Sequence, residues 1–595
     1  MVSIVRDPAR CCGRRTMSAR PIQVDVVVVG LGLGAIAATL VLAARGVRVA
    51  MIGPESRIGG QVTTQLTSPL DEHPLIETAG CTARYRAFRD AVRAEYGGVP
   101  NPGGGWVSRV CFEPSVGERV LQRMLAPHVD SGSVTVIPSA RPIAVRIVGS
   151  RAEEVTFVTR DGEFAAIGAI VIDATETGEL LPLSDTAWVI GSEGRDAYGE
   201  PHALPGAPDS RAEQSCTIVA ALVREPSPQS AGVPPARYGQ LRDAQPYSFT
   251  LSNDERTVQD FAMYDDAVAP GSFWSYRRVR DPRLIGGADT AIINWHGNDY
   301  VGSGLVAQPA ETEAGARQLA AGFVHWLRTE APRDDGGRGH PELRLAPEVS
   351  GTADGYAESP YVRESRRLRS TEPVTEHDLM PRAGIARALM ADDSVGTAWY
   401  HADLHPRVGG HPSVYAPTAP FTIPLTALVP QPGRGPKNLI AGAKNLAATQ
   451  VAAAAYRVHP GEWAVGEAAG VLAAEALQGN TEPADLARDE RGTLAVQIGA
   501  LRAGAPIFWA TDLPHTHPAF LAGSLLAAHG GLDDARRATL SVMPDAQATP
   551  EARRALLAAA QTIAARWGVA LDPDATESET GITWGSSRAR WPTRC

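Results

Sequence analysis

Groups of polar side chains between residues 276 and 411 could do chemistry. The stretch "YHADLHPRVGGH", residues 400–411, holds His401, Asp403, His405 and His411. In an extended chain the H-x-D-x-H spacing puts His401, Asp403 and His405 on one face. Such a face offers a general base near neutral pH, with His405 the first choice. It also invites a metal reading, although no metal is expected. A second group is Tyr361, Arg363, Glu364, Arg366 and Arg367. If helical, Arg363 and Arg366 share a face, and their guanidinium forks could clamp a substrate carboxylate. The same run could equally pair with Glu364 or Glu358 on a solvated face. Tyr276, Arg277 and Arg278 form a third group, and Asn294, Trp295, His296, Asn298 and Asp299 a fourth. The expected catalytic residues are His405, Arg363, Arg366, Tyr276 and His296.

Something must position them. The stretch "VVVVGLGLGAIAATLVLAARGVRVAMIGPESRIGGQ", residues 26–61, begins with 19 uncharged positions, near the minimum for a membrane-spanning helix. Its halves differ, however. Val24 to Val29 is β-branched and reads as a strand, Ala35 to Arg45 is Ala/Leu-rich and reads as a helix, and Gly46 is placed to stop it. Between them Gly30-Leu31-Gly32-Leu33-Gly34-Ala35 matches G-x-G-x-x-G/A, the dinucleotide-binding turn. Gly30 permits the tight turn, Gly32 lets the backbone approach a pyrophosphate, and Ala35 lets the helix pack on the strand. Val47 to Ile52 supplies the second parallel strand. The acid that usually follows about 20 residues on, to hold the adenosine ribose, is replaced by Gly53. Glu55 or water can substitute, and Arg57 keeps a 2′-phosphate pocket open.

Arg57 followed by Gly59-Gly60-Gln61, with "RIGGQVTTQLTSPLDEHPLIETAGCTARYRAFRDAVR" around it, resembles FAD-dependent oxidoreductases related in fold to glutathione reductase. Further segments carry the resemblance: "NPGGGWVSRVCFEP", "VIDATETGELLPL", "INWHGNDY", "YVRESRRL" and "NLIAGAKNLAATQVAAAAYRVHPGEWAVGEAAGVLAAEAL". Together they run over about residues 24–480. The resemblance implies an α/β fold with a Rossmann-type FAD-binding domain, a β-meander and an inserted β-rich substrate domain. It implies FAD held by Gly30, Gly32, Gly34, Ala35, Glu55, Arg57, Gly59, Gly60 and Gln61. The loop Asp173, Ala174, Thr175 to Gly178 would sit against the same cofactor. Lys444, Asn445, His459, Pro460 and Gly461 would lie at the flavin edge, with the helix after His459 aiming its positive end at the reduced ring.

Two absences narrow the chemistry. No C-x-x-x-x-C pair follows Gly60, so the redox disulfide of glutathione reductase is unavailable. No second glycine fingerprint follows a later strand. The expected activity is therefore an oxidase, dehydrogenase or desaturase moving a hydride on a small organic molecule, conceivably in secondary metabolism. Electrons would leave to oxygen or a carrier. A monooxygenase using NAD(P)H and a flavin-bearing binding or scaffold protein are the alternatives.

Composition agrees with a soluble enzyme: 44% hydrophobic residues and a net charge of −10 with no basic block, which argues against nucleic acid. The six cysteines are scattered, as in a reducing cytoplasm. An oligomer is possible. The expected organisation is a disordered leader over 1–23, with Met17 a candidate start. The FAD-binding domain covers 24–190 and 401–480, the substrate domain 191–400, and a small helical domain 485–595. That last piece resembles one degenerate surface-layer-homology-like unit. Asp161-Gly162 is expected to turn a hairpin of the meander, and residues 272–302 to form sheet.

Overall fold

The computed structural model describes residues 21–230, 232–252 and 258–568. The leader thus falls almost wholly outside the described residues, as do the last residues of the chain. At the centre is a five-stranded parallel sheet ordered Leu439–Ala441, Ile170–Asp173, Val26–Val29, Val49–Ile52, Val134–Ile137. The three strands Val26–Val29, Val49–Ile52 and Ile170–Asp173 are buried along their whole length. That burial explains their unbroken Val/Ile runs, since a parallel sheet is covered on both faces. The opening apolar run is therefore a strand followed by the helix Leu33–Ala44, and Gly46, at φ +75°, turns the chain back into the sheet. Among the described residues no helix is long and apolar enough to cross a membrane.

On this sheet lies the helix His459–Gly479, with Pro460 in its first turn. It crosses Leu33–Ala44 where glycines of the later helix face Gly34 and Ala38. A Cβ on Gly466 would lie 2.2 Å from the Gly34 carbonyl oxygen, and one on Gly470 2.7 Å from that of Ala38. The expected division of labour in the fingerprint shifts accordingly. Gly34, whose Cβ would meet the Gly442 carbonyl at 2.2 Å, makes the close approach; Ala35 is simply core.

The strands Arg141–Val148, Arg151–Thr159 and Gly162–Ile167 form the antiparallel meander, with Ile22–Gln23 added in parallel at its edge. Thr159 pairs with Gly162, so the turn is Arg160-Asp161, one residue earlier than expected. A second antiparallel sheet runs Arg278–Arg280, Asp289–Ile293, Ala220–Arg224, Leu343–Leu345, and the helix Pro309–Thr329 shares its aromatic core. Residues 272–302 are less continuous than expected. Ser272 and Asp281 cap the short helices Phe273–Tyr276 and Pro282–Ile285, which break the sheet where a hydroxyl or carboxylate can bind free backbone N–H groups. The C-terminal helices Glu490–Arg502, Phe520–Ala528 and Pro550–Trp567 bury their apolar faces in the same core as the parallel sheet.

Candidate active site

The glycine turn closes on the loop leaving Asp173. Gly30 has φ +119°, and a Cβ there would sit 2.2 Å from the Ala174 carbonyl, so turn and loop are locked backbone to backbone. Asp173 holds the loop in shape: its carboxylate accepts from Thr175 N–H (3.1 Å), Thr175 Oγ1 (2.7 Å) and Leu180 N–H (3.1 Å). Burial raises its pKa to about 6. Asn445 Nδ2 donates to the Asp173 carbonyl (2.9 Å), joining the last strand to the same loop. Gly178, at φ +65°, backs onto the Arg366 carbonyl.

Gly32 differs from its neighbours. A Cβ there would meet only side-chain ends, Glu176 Oε1 at 2.7 Å and Glu462 Oε1 at 3.2 Å. Opposite it stands Gly60, whose Cβ would meet the same Glu176 oxygen at 2.6 Å. Gly59 and Gly60 both need positive φ, +114° and +49°, which explains the glycine pair. Lys444 Nζ bridges Glu176 (2.5 Å) and Glu462 (2.7 Å), Gln61 Nε2 donates to Glu462 (2.5 Å), and Gly34 N–H reaches Glu462 Oε1 at 3.3 Å. An anion is thus already seated at a helix N-terminus beside a lysine, the donors a pyrophosphate requires.

The place of Gly53 has an answer. A Cβ there would lie 2.4 Å from Glu55 Oε2 and 2.8 Å from Leu31 Cγ. The missing side chain makes room for the Glu55 carboxylate to fold back over the end of the second strand, beside the fingerprint. Glu55 is buried, its Oε2 has no partner, and burial together with Glu176 raises its pKa to about 8. A buried carboxylate oxygen without a donor is costly. Gln61 Oε1 is likewise buried and unpartnered. These orphaned acceptors, with the side-chain-free edge at Gly32 and Gly60 and with Lys444, fit a dinucleotide lying from Glu55 past Gly32 toward Gln61. Arg57 does not join them: it donates to the Ser350 carbonyl (2.5 Å) and pairs with Glu118 at 3.6 Å.

The far end of the cradle is the start of the His459 helix. His459 accepts from Asp71 N–H through Nδ1 (3.0 Å) and donates from Nε2 to the Thr67 carbonyl (2.8 Å). Those partners fix a neutral ring, in line with a pKa lowered by burial. His459 therefore pins the 67–71 segment and has no free nitrogen. A Cβ on Gly461 would strike the Tyr456 carbonyl at 2.4 Å, so the glycine lets the helix start tightly.

Two residues before His459, Arg457 belongs to both sides. Its carbonyl accepts from Gln61 (3.0 Å), while its guanidinium reaches Asp403 (3.0 Å) and the Tyr361 hydroxyl (3.3 Å). From Asp403 the contacts continue to His405, whose Nε2 lies 3.2 Å from Asp403 and whose Nδ1 lies 2.6 Å from Asp299. Asp299 also binds Arg363 (2.9 Å), and Arg363 reaches Thr217 Oγ1 (2.9 Å) and Asn294 Oδ1 (3.2 Å). Burial opposes ionisation of Asp299 and Asp403, but Arg363 and His405 beside the first, and His405 and Arg457 beside the second, hold both well below the usual range. The His296 ring lies 4.6 Å from that of His405, and burial, with His405, lowers its pKa to about 4. Across the site Arg277 pairs with Asp71 (2.9 Å), Tyr276 packs on Trp106 and Trp295, and Tyr361 hydroxyl sits 3.5 Å from Asp71. His401 stacks between Tyr400 and Tyr415, at 4.0 and 3.9 Å.

The structure thus brings together His405, His296, Arg363 and Tyr276 but separates Arg366 from them. The clamp required a helix over 361–366; instead Tyr361 pairs with Thr217 and Arg367 with Val189, so the stretch is extended. In an extended chain residues three apart point to opposite sides. Arg366 accordingly binds the Thr177 carbonyl (2.9 Å) over Trp188, while Arg363 is consumed inside the cluster. His411 takes part only through its backbone, accepting from Arg407 N–H. Ligand atoms of His296, Asp299 and His405 lie within 4.8 Å of one another, but both Asp299 oxygens are engaged by Arg363, Thr217 and His405. Asp71, Tyr400, Glu176 and Glu462 stand inside the motif segments but were given no role there, because their partners Arg277, Lys444 and Gln61 come from other parts of the chain. Arg457, two residues before His459, was within reach of a spacing rule.

Comparison with known proteins agrees with this geometry. The chain matches the family model described as FAD dependent oxidoreductase over residues 25–497. It belongs to that family, is an FAD-dependent oxidoreductase and takes FAD as its cofactor. No curated protein matches it. Solved structures resemble it only in part. Glycine oxidase from Bacillus cereus is 12% identical over 34% of this chain and 63% of its own, with a TM-score of 0.22. L-proline dehydrogenase from P. horikoshii is 14% identical over 30% of this chain and 25% of its own, with a TM-score of 0.17. Thioredoxin reductase from Lactococcus lactis is 17% identical over 26% and 35%, with a TM-score of 0.16. The matched part is thus less than two thirds of each of these chains.

Proposed function

We propose that the protein oxidises a small polar organic molecule by passing a hydride to its FAD, with His405 moving the accompanying proton. The observation that carries this reading is the continuity at Arg457–His459: the residues closing the cradle are the first residues of the acid–base cluster. FAD, when bound, supplies the two-electron acceptor. The chain's own part is then binding and proton handling. Asp299 and Asp403, kept ionised on either side of His405, hold its ring at Nδ1 and Nε2, and His405 takes the substrate proton when Nε2 exchanges its longer contact with Asp403 for the substrate. Arg363 offsets the Asp299 charge, so the acid can stay ionised in a buried place. Tyr276, Tyr361 and Tyr400 have pKa values raised by burial and stay protonated as hydrogen-bond donors toward a polar substrate. Trp106 and Trp295 wall off water beside them.

Gln61, Lys444 and the Gly32 turn are proposed to hold the pyrophosphate, and Glu55 the adenosine ribose. The C-terminal helices are proposed to be structural, because their apolar faces are spent inside the core. The cytoplasm is the proposed location. Anaerobic mixing of the purified, FAD-loaded protein with amines, hydroxy acids and carrier-bound acyl groups tests the reading. Bleaching of the flavin by one of these classes supports it; bleaching by NAD(P)H alone contradicts it in favour of monooxygenase chemistry.

A further inference from the structure

Behind the Thr175–Gly178 loop, on the side away from the glycine turn, opens a cleft of about 1030 Å³ whose lining includes Trp188, Glu193, Glu213, Arg366, Arg369 and Arg434. That volume is at the upper end of small-molecule sites. Its charge is unusual for so acidic a protein. Arg369 N–H donates to the Ala187 carbonyl (2.9 Å) and Ala187 N–H to the Arg434 carbonyl (2.8 Å), so both arginines spring from neighbouring backbones. Neither guanidinium meets a carboxylate among the described residues, and both residues are exposed. Arg366 adds a third cation, stacked over the Trp188 ring at 5.3 Å with its Nε buried and unpartnered. The two acids of the cleft are occupied elsewhere. Glu193 binds Arg367 (2.7 Å) and Gln450 N–H (2.8 Å), and Glu213 accepts from Val306 and Ala307 N–H (2.8 and 3.0 Å).

We propose that this cleft is a second ligand site, built for a nucleotide: phosphates on the Arg366, Arg369 and Arg434 guanidiniums and a flat base against the Trp188 and Tyr198 rings. Guanidinium forks match phosphate oxygens in pairs, and three arginines lining one cleft without a salt bridge among the described residues favour a polyanion over a single carboxylate. The chemistry is shared by a nicotinamide dinucleotide and by a nucleotide-linked acyl carrier. The site is distinct from the acid–base cluster, since Arg363 and Arg366 diverge from one strand to opposite sides.

Calorimetric titration of the FAD-saturated protein with ADP, NADPH and coenzyme A tests the proposal. At least one is expected to bind, with affinity falling at least about tenfold in an Arg369→Gln/Arg434→Gln double variant, whose exposed positions leave the fold undisturbed. Arg366→Gln should weaken binding further. Flavin bleaching on NADPH binding identifies a reductant site and replaces the proposed function with the monooxygenase alternative; tighter binding of coenzyme A than of ADP without bleaching identifies a carrier site. Failure of all three to bind, or equal binding by the double variant, overturns the proposal and leaves the acid–base reading untouched.

Discussion

At the scale of single residues, the fingerprint glycines do different work. A Cβ on Gly30 or Gly34 would meet a backbone carbonyl at 2.2 Å, whereas one on Gly32 would meet only the side-chain ends of Glu176 and Glu462. Gly32→Val should therefore leave a folded protein that no longer binds FAD; circular dichroism and titration of the apoprotein with FAD check the pair of outcomes. Glu55 gives a pH signature. Its pKa is raised to about 8 in the folded apoprotein from 4.5, so the folded state holds a proton that the unfolded chain has released, and stability declines as pH rises through that interval. Glu55→Gln should flatten the decline in thermal melts. Because ribose hydroxyls bind the carboxylate better than the acid, FAD affinity should rise toward pH 8 in the natural protein and stay level in Glu55→Gln. The turn and the odd glycine were both legible in the sequence. That Gly53 exists to admit Glu55 was not, because it depends on a side chain folding back in space. Asp71 was likewise hidden, since its partners Arg277 and His459 stand about 200 and 390 residues away.

Among elements, the tight crossing of Leu33–Ala44 and His459–Gly479 couples the start of the chain to the end of the family region. Gly466→Val would drive a side chain into the Gly34 carbonyl, and overpacking of this kind costs about 1–3 kcal/mol or more. The melting temperature should fall and FAD affinity with it, because the displaced carbonyl belongs to the fingerprint. Small residues down one side of the later helix were readable from "GEAAGVLAAEAL"; which helix they face was not. The Arg363/Arg366 expectation shows the converse. A spacing of three means one face only on a helix, and the bridges of Tyr361 to Thr217 and Arg367 to Val189 make this stretch extended. Tertiary pairing overrode the local pattern.

Over the whole molecule, the chain after residue 489 buttresses the site. Trp509 is fully buried, donates to the Ala398 carbonyl (3.1 Å) and meets the His73 ring at 4.9 Å and the Trp399 ring at 5.7 Å, and Gly80 is a glycine because the indole lies against it. Trp509→Ala should cost about 3–5 kcal/mol, seen in denaturant unfolding, and loosen the 73–80 segment that follows the one His459 pins. A helical tail was legible from composition; its place in the common core was not, since burial is decided by partners hundreds of residues distant. The central claim is that the cradle delivers FAD to an acid–base cluster centred on His405. Stopped-flow reduction of the flavin by a substrate found to bleach it, compared between the natural protein and His405→Asn, tests it most directly. FAD content should be unchanged and reduction slowed about 100-fold or more; reduction at the natural rate would contradict the claim.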